Sequence, residues 1–341
     1  NLLMTIQYAI EQLVNNNDLS HEEMQAVMSL IMTGECTGSQ IGGFLVALRM
    51  KGETIEEITA AAQVMSSLAD HVQVDAPNLI DIVGTGGDGT STFNVSTAAS
   101  FVAAGAGASV AKHGNRSVSS KSGSADLLEQ AGANLNLDSQ QVAKVIQAAG
   151  VGFMFAPMHH SAMRHAIAAR KEMAVRTIFN VLGPLTNPAN VRRQVVGVFA
   201  KDLTVTLAKV FAQLGSQHTL VVHSDDGMDE ISICAATTIS EMREGRVQTY
   251  TVTPQDFGMK IANINDIVVA NPAESLAMID EVLANKPGPA RDIVVLNAGA
   301  GVYVSGLAKS LAQGVELASL SIEQGKALAA KDAYISATQT V

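Results

Sequence analysis

The sequence predicts an α/β chain, with a small N-terminal helical domain followed by a larger α/β domain built on a mostly parallel central sheet. Three observations predict it. Residues 1 to about 74 carry helix caps and helical periodicity with no strand signal. After Pro77, short apolar runs alternate with amphipathic stretches, as when helices cover both faces of a parallel sheet. And 341 residues, 47% hydrophobic and 16% charged, supply enough core for two domains. The expected division is 1–74 for the helical domain, with a helical return segment near 161–188, and 75–341 for the α/β domain.

In the helical part, Ser20 and Glu23 form a capping box ahead of an apolar-periodic run over 24–32. A second helix fits 40–51, ended by Gly52, and Thr54 with Glu57 opens a third that runs to about residue 69. The stripe Met24, Met28 and Met32 reads as core or as a subunit interface. Beyond Pro77, strands fit 79–83, 109–111, 195–199, 219–223 and 293–296; helices fit 96–104, 124–131, 139–149, 203–214 and 272–284. Residues 243–252 read as a hairpin or loop excursion. Residues 161–173 are helical and carry Arg164, Arg170 and Lys171. The stretch 176–188, with Gly183, Pro184 and Pro188, is expected to form an ordered crossover and hinge instead of a regular helix.

The chemistry gathers in 79–116. An apolar strand enters a loop with four glycines in six residues, Gly84 to Gly89; a helix follows, and then a second strand that delivers Lys112. Glycine reaches conformations other residues avoid and lets a ligand approach the backbone, so such a loop can aim several amides at one anion. The residues just downstream are basic: ten Lys or Arg against four Asp or Glu between Lys112 and Arg193, in a chain whose net charge is −10. A small, highly anionic ligand fits that pattern, whereas the overall charge argues against a nucleic-acid binder. No apolar run is long enough to span a bilayer and no basic-then-apolar leader is visible. Two distant cysteines, Cys36 and Cys234, suggest no disulfide framework, and a reducing cytoplasm is expected.

Gly84, Gly86 and Gly89 satisfy G-x-G-x-x-G, but the acid that should follow about 20 residues later to bind a ribose is missing: no Asp or Glu occurs between Asp88 and Asp126. No Gly-Lys-Ser/Thr closes the loop as a P-loop would require. The motifs DIVGTGGDG (81–89), NVST (94–97), KHGNR (112–116), RTIFNVLGPLTNP (176–188) and DGMDE (226–230), with GFLVALRMKGET (43–54) in the helical part, together resemble the anthranilate phosphoribosyltransferase family. The resemblance covers nearly the whole chain. It implies transfer of phosphoribose from phosphoribosyl pyrophosphate to the amine of anthranilate, with release of pyrophosphate, in tryptophan biosynthesis. It also implies dependence on Mg²⁺, a homodimer formed through the helical domain, and a site in the cleft between the domains. Association with a separate glutamine amidotransferase subunit stays open. The alternative on a related scaffold is a pyrimidine nucleoside phosphorylase; a nucleotide-binding module without catalysis is disfavoured by the missing ribose acid.

By that resemblance, Gly84, Thr85, Gly86, Gly87, Asp88, Thr92, Asn94, Ser96, Thr97, Lys112 and Ser124 would bind phosphoribosyl pyrophosphate, the residues at 94–97 using the N-terminus of the following helix. Ser96 and Thr97 also suit an ordinary helix cap. Gly84, His113, Asn115, His160 and Arg170 would bind anthranilate; a guanidinium can meet a carboxylate with two parallel hydrogen bonds, although Arg170 would otherwise read as a surface arginine. Ser96, Asp229 and Glu230 would hold magnesium, because carboxylates tolerate a phosphate ester only through a hard cation. Taken alone, SDDGMDE (224–230) reads as a solvated turn, with Asp225 and Asp226 as exposed bystanders. His159, His160 and His165 read as pocket lining or surface more readily than as a zinc site.

Overall fold

In a computed structural model of the chain, residues 3–117 and 123–341 are described. Four helices come first: α1 (Ile6–Val14), α2 (His21–Met32), α3 (Gly38–Lys51) and α4 (Ile55–Ser67). Both expected capping boxes close, and Thr37 with Gln40 adds a third ahead of α3. Met24, Met28 and Met32 are all buried, so that stripe is core. Glu57 is buried too; it meets Lys51 at 2.7 Å and the Leu19 amide at 2.9 Å, which fastens α4 to the turn before α2.

The α/β part runs β1 (Ile80–Gly84), α5 (Val95–Gly105), β2 (Val110–Gly114), α6 (Ser124–Gln130), α7 (Ser139–Ala149), β3 (Val151–Phe155) and a short α8 (Ala156–His159). A single turn, Ser161–Met163, leads into α9 (Arg164–Met173) and α10 (Phe179–Leu185). Then come β4 (Arg193–Gly197), α11 (Leu203–Gln213), β5 (His218–Ser224), β6 (Thr237–Arg243) and β7 (Arg246–Val252), and four closing helices: α12 (Pro272–Leu283), α13 (Pro289–Ser305), α14 (Leu311–Glu323) and α15 (Lys326–Thr340). The seven strands lie in the order β3-β2-β1-β4-β5-β6-β7, the first five parallel and the last two antiparallel.

Strand side chains alternate between two cores. Ile80, Ile82, Val195 and Leu220 face the layer that holds α5, α13, α14 and α15. Val196, Val198 and Val221 face the other layer, where α11, α9 and α10 continue into the helical bundle as one apolar cluster. The return segment is thus packed with the N-terminal helices, while β6 and β7 supply the hairpin expected near 243–252, turning at Glu244 and Gly245 with positive φ.

Four expectations change. Residues 293–296 are not a strand but the middle of α13, a 17-residue helix with Pro at its first position and left-handed Gly306 after its end; a short apolar run cannot by itself distinguish a buried strand from a buried helix. The strand expected over 109–111 continues to Gly114, placing Lys112 and His113 inside β2 on opposite faces. β3, which the sequence reading did not mark, follows directly on Gly150, whose left-handed φ of +76° ends α7. Finally, 176–188 contains a helix, α10, that accommodates Pro184 near its end, where the lost amide costs one hydrogen bond.

Candidate active site

The sheet's order reverses at β1: β2 lies on one side of it and β4 on the other, and loops leaving neighbouring strands in opposite directions open a crevice at their C-terminal ends. Gly84 and Gly197 are the last register partners of β1 and β4. Asp229, from the loop after β5, fills the space their missing side chains leave. A Cβ on Gly84 would lie 2.3 Å from the Asp229 carboxylate, and one on Gly197 would lie 1.6 Å from its backbone carbonyl. The Gly86 amide donates to Asp229 Oδ2 at 3.0 Å, the Thr85 amide to the Gly197 carbonyl at 2.9 Å, and the Asp229 amide to Asp88 at 3.3 Å. Asp88 also accepts from the amide and hydroxyl of Thr90. Of the loop amides expected to face a phosphate, Thr85 is therefore committed to the sheet and Gly86 holds a carboxylate.

Beneath the loop, Lys112 is buried and donates to the Ile82 carbonyl at 2.6 Å and to Ser96 Oγ at 3.0 Å. Asn94 is the N-cap of α5: its side-chain oxygen accepts from the Thr97 amide at 2.9 Å and from the Ser96 hydroxyl at 3.2 Å. The cap is thus Asn94, and neither Ser96 nor Thr97. Ser124, at the start of α6, accepts from Asn94 Nδ2 at 3.2 Å and from the Thr97 hydroxyl at 3.3 Å, so residues 94, 96, 97, 112 and 124 form one hydrogen-bonded group. Thr92 lies further out, bridged to Val268.

The charges here are crowded. Burial lowers the pKa of Lys112, and the carboxylates of Asp81, Glu230 and Asp229 hold it up. Burial also raises Asp229, with Asp88 adding to the shift, and it raises Glu230 well above the ordinary range, reinforced by Asp229 and Asp88 and opposed by Lys112. Such a group of acids favours a cation. Among the described residues, no three His, Cys, Asp or Glu side chains form a ready-made metal cage. Mg²⁺ needs none, since it is commonly held by one or two carboxylates together with substrate phosphates. The donor set therefore fits that ion when it arrives with a phosphorylated substrate.

The opposite face of β2 is drier. His113 projects from β2 to the face opposite Lys112 and pairs through Nδ1 with the Gly183 carbonyl of α10 at 3.1 Å; its ring lies 5.0 Å from that of His160. Burial pushes His113 down to about 3 and His160 to about 4, and each keeps a buried Nε2 without a partner among the described residues. His159 is buried as well, held by the Asp70 carbonyl at 3.1 Å, whereas His165 packs beside Gly34 in the helical bundle. Arg170, on α9, sits 5.4 Å from the centre of the Phe179 ring, and burial alone lowers its pKa. Among the described residues, no hydrogen bond or ion pair joins Arg170 to the glycine loop. The Asn115 side chain turns back on the Arg116 amide at 2.7 Å.

Several residues here were given no role in the sequence reading. Asp81 is fully buried in β1; its Oδ2 accepts from the His113 amide at 3.1 Å and from Asn187 Nδ2 at 3.0 Å, while Oδ1 is unpartnered. Burial pushes its pKa up to about 6 against the pull of Lys112. A lone acid in an apolar strand was the available signal, because an acid is almost never fully buried unless paired. Asp226 is no bystander: it accepts from the Met228 amide at 3.1 Å, the Ser232 hydroxyl at 2.6 Å and the Ser224 hydroxyl, building the turn that aims Asp229. Gly197 had no sequence signal, since its need for glycine arises from a residue 32 positions later.

Comparison with known proteins fits this arrangement. The glycosyl transferase family, helical bundle domain, matches residues 7–69, and the glycosyl transferase family, a/b domain, matches residues 76–328. The anthranilate phosphoribosyltransferase of Thioalkalivibrio sulfidiphilus is 57% identical over 324 residues, which is 95% of this chain and 96% of that protein. The chain belongs to the anthranilate phosphoribosyltransferase family. Among solved structures of that family, the Thermus thermophilus enzyme superposes with a TM-score of 0.92 at 40% identity, covering 97% of this chain and 99% of that one. The Saccharomyces cerevisiae anthranilate phosphoribosyltransferase in complex with PRPP and Mg superposes with a TM-score of 0.91 at 29% identity, covering 98% of each chain. Family membership makes the chain a pentosyltransferase with a helical and an α/β domain.

Proposed function

We propose that the crevice at the ends of β1, β2 and β4 transfers phosphoribose from phosphoribosyl pyrophosphate to the anthranilate amine. The observation that carries this reading is that Asp229 fills the Gly84–Gly197 notch against the glycine loop, with a buried lysine and the second carboxylate of Glu230 within electrostatic reach. In the reaction the bond from ribose C1 to pyrophosphate breaks, a bond from C1 to nitrogen forms, and the amine gives up a proton. An aromatic amine needs little activation, so the protein's tasks are to stabilise the leaving charge and to align the partners.

In this reading the amides of Gly86, Gly87 and Asp88 and the start of α5 receive phosphate oxygens, Asp229 leaving the Gly86 amide as they bind. Ser96, Asp229 and Glu230 would hold Mg²⁺, which when bound would offset charge on the diphosphate. Lys112 places a fixed positive charge under the loop. Arg170 takes the anthranilate carboxylate, while Asn115, His113 and His160 border the ring, the imidazoles remaining neutral. We place the domain division at residues 74 and 75; counting 161–188 to the helical domain is supported by the apolar cluster that joins α9 and α10 to the bundle, a cluster that also takes in α11.

We also propose a homodimer formed through the helical domain, which exposes Val14, Val46 and Met50. A cytoplasmic setting agrees with two free cysteines and with the absence, among the described residues, of a helix long and apolar enough to cross a membrane. With phosphoribosyl pyrophosphate, MgCl₂ and anthranilate, the chain should quench anthranilate fluorescence and release one pyrophosphate per turnover. Phosphate-dependent cleavage of thymidine, without anthranilate consumption, would instead mark a nucleoside phosphorylase.

A further inference from the structure

Three parts of the chain meet at Arg176, at the entry to α10. Its backbone carbonyl accepts from Arg49 Nη1 of α3 at 2.9 Å. Its guanidinium carbon lies 3.9 Å from the centre of the Phe199 ring, just beyond β4. Its Nη2 donates to the Gly87 carbonyl in the glycine loop. One exposed residue therefore links the helical bundle, the end of a central strand and the phosphate loop.

The bond to Gly87 has a geometric consequence. A trans peptide points its C=O and N–H in opposite directions, so gripping the Gly87 carbonyl turns the Asp88 amide away from Arg176. Gly86, Gly87 and Gly89 all have a φ of +72°, and glycine passes between backbone regions at low steric cost. The peptide plane between 87 and 88 thus has few restraints of its own. Asp88 is the hub on which the Thr90 amide and hydroxyl and the Asp229 amide converge. Fixing that plane fixes Asp88, and with it the approach of Asp229. A guanidinium suits this task, since it can lie flat on an aromatic ring while its edge donates hydrogen bonds; an ammonium cannot do both.

We propose that Arg176 is a positioning residue that clasps the glycine loop to Phe199 and the helical bundle, holding the Gly87–Asp88 peptide in the orientation the diphosphate meets. The kinetic consequence rests on the transferase reading above, whereas the clasp itself does not. Hydrogen–deuterium exchange on the full chain without substrates separates the two. In Arg176→Gln, the amides of Gly86, Thr90 and Asp229, which donate to the Asp229 and Asp88 carboxylates, should exchange roughly tenfold faster while β1 and α5 are unchanged, because only the loop's local opening is made easier. With substrates, kcat/KM for phosphoribosyl pyrophosphate should fall roughly ten- to a hundredfold, since small misplacements of binding groups cost that much, with the KM for anthranilate little changed. Phe199→Leu should cause a smaller loss of the same kind, and the double variant should be no worse than Arg176→Gln alone, as for residues acting through one contact. Arg176→Lys should restore only part. Unchanged loop exchange in Arg176→Gln overturns the clasp, as does full rescue by lysine. Faster exchange with unaltered kinetics for phosphoribosyl pyrophosphate overturns the positioning role. A chain that turns over no anthranilate at all would refute the transferase reading, and the exchange result would still decide the clasp.

Discussion

The two halves of the proposed site solve opposite electrostatic problems. At the end proposed for the diphosphate, Lys112, Asp81, Asp88, Asp229 and Glu230 are drawn together: backbone amides donate to Asp81, Asp88 and Asp229, and Lys112 donates to the Ile82 carbonyl and to Ser96. At the end proposed for the aromatic acid, His113 and His160 are dry and neutral, and Arg170 is a cation lying beside a phenyl ring. The first end crowds one buried lysine against four carboxylates and so tolerates little change of geometry. The second keeps its surroundings uncharged, so that one guanidinium dominates recognition of an anion. Geometry should therefore be the fragile property at the first end, and charge at the second.

The harshest way to test the first half of that contrast is Gly197→Ala. The added methyl would meet the Asp229 carbonyl at 1.6 Å, and that atom is backbone, so the loop must move. We expect kcat/KM to fall at least roughly a hundredfold, because the displaced groups are the ones that must be aligned. Overpacking should also cost about 3 kcal/mol of stability, read as a shift in the urea midpoint. Wild-type activity in this variant would mean that Asp229 is not placed by the notch.

Asp81→Asn removes a charge and keeps the shape. Asp81 has a folded pKa raised from 3.8 to about 6, so its protonated form is the one the fold prefers. Its stabilising contribution is complete below the unfolded value and is lost as pH rises through the folded one. The asparagine variant lacks that loss. Its unfolding free energy relative to wild type should rise by about 3 kcal/mol between about pH 4 and pH 7, at 1.36 kcal/mol for each pKa unit. The histidines titrate identically in both proteins and cancel from the difference. A difference that does not vary with pH would show that Asp81 is ionised as readily in the folded chain as in the unfolded one.

How far each end could be read from the sequence follows the same contrast. The glycine loop, the capping boxes of α2 and α4 and the turn before Asp229 announce themselves through residues within a few positions of one another, because backbone conformation and caps are local. Lys112 drew notice through the loop beside it, although the extent of its strand did not. Gly197, Asp81 and Arg176 escaped because what each one does is decided by partners 23 to 127 positions away in the chain. β3 and α13 were missed for a different reason: a buried apolar run carries no period that separates strand from helix. The acceptor end was accessible mainly through family resemblance, since a lone arginine and two histidines are ordinary features of any helix or strand.

Arg170→Ala tests the second end. It deletes the cation and leaves the neutral surroundings, so the KM for anthranilate should rise roughly ten- to a hundredfold, the usual loss for a charge-assisted hydrogen bond, while the KM for phosphoribosyl pyrophosphate stays within about twofold. Equal damage to both constants would place Arg170 among the groups that order the whole crevice and would dissolve the distinction between the ends. Arg170→Lys should recover only part of the loss, because an ammonium cannot present two parallel donors.

The gentlest test is His160→Gln. With folded values of about 3 for His113 and about 4 for His160, both rings are uncharged throughout the neutral range. Neither can then act as the acid or base that shapes a rate profile near neutrality. The variant should raise the anthranilate KM only a few-fold, through lost packing, and leave the pH dependence of kcat/KM unchanged between about pH 6 and pH 8. Stability should carry the signature instead. A histidine whose folded pKa is depressed contributes fully above the unfolded value of about 6.5 and loses that contribution as pH falls toward the folded one, so wild type should lose stability on acidification that the glutamine variant keeps. A profile that loses an inflection near neutrality in the variant would show a protonated imidazole beside the acceptor. Two cations would then face the aromatic acid, and the acceptor end would be as charged as the other.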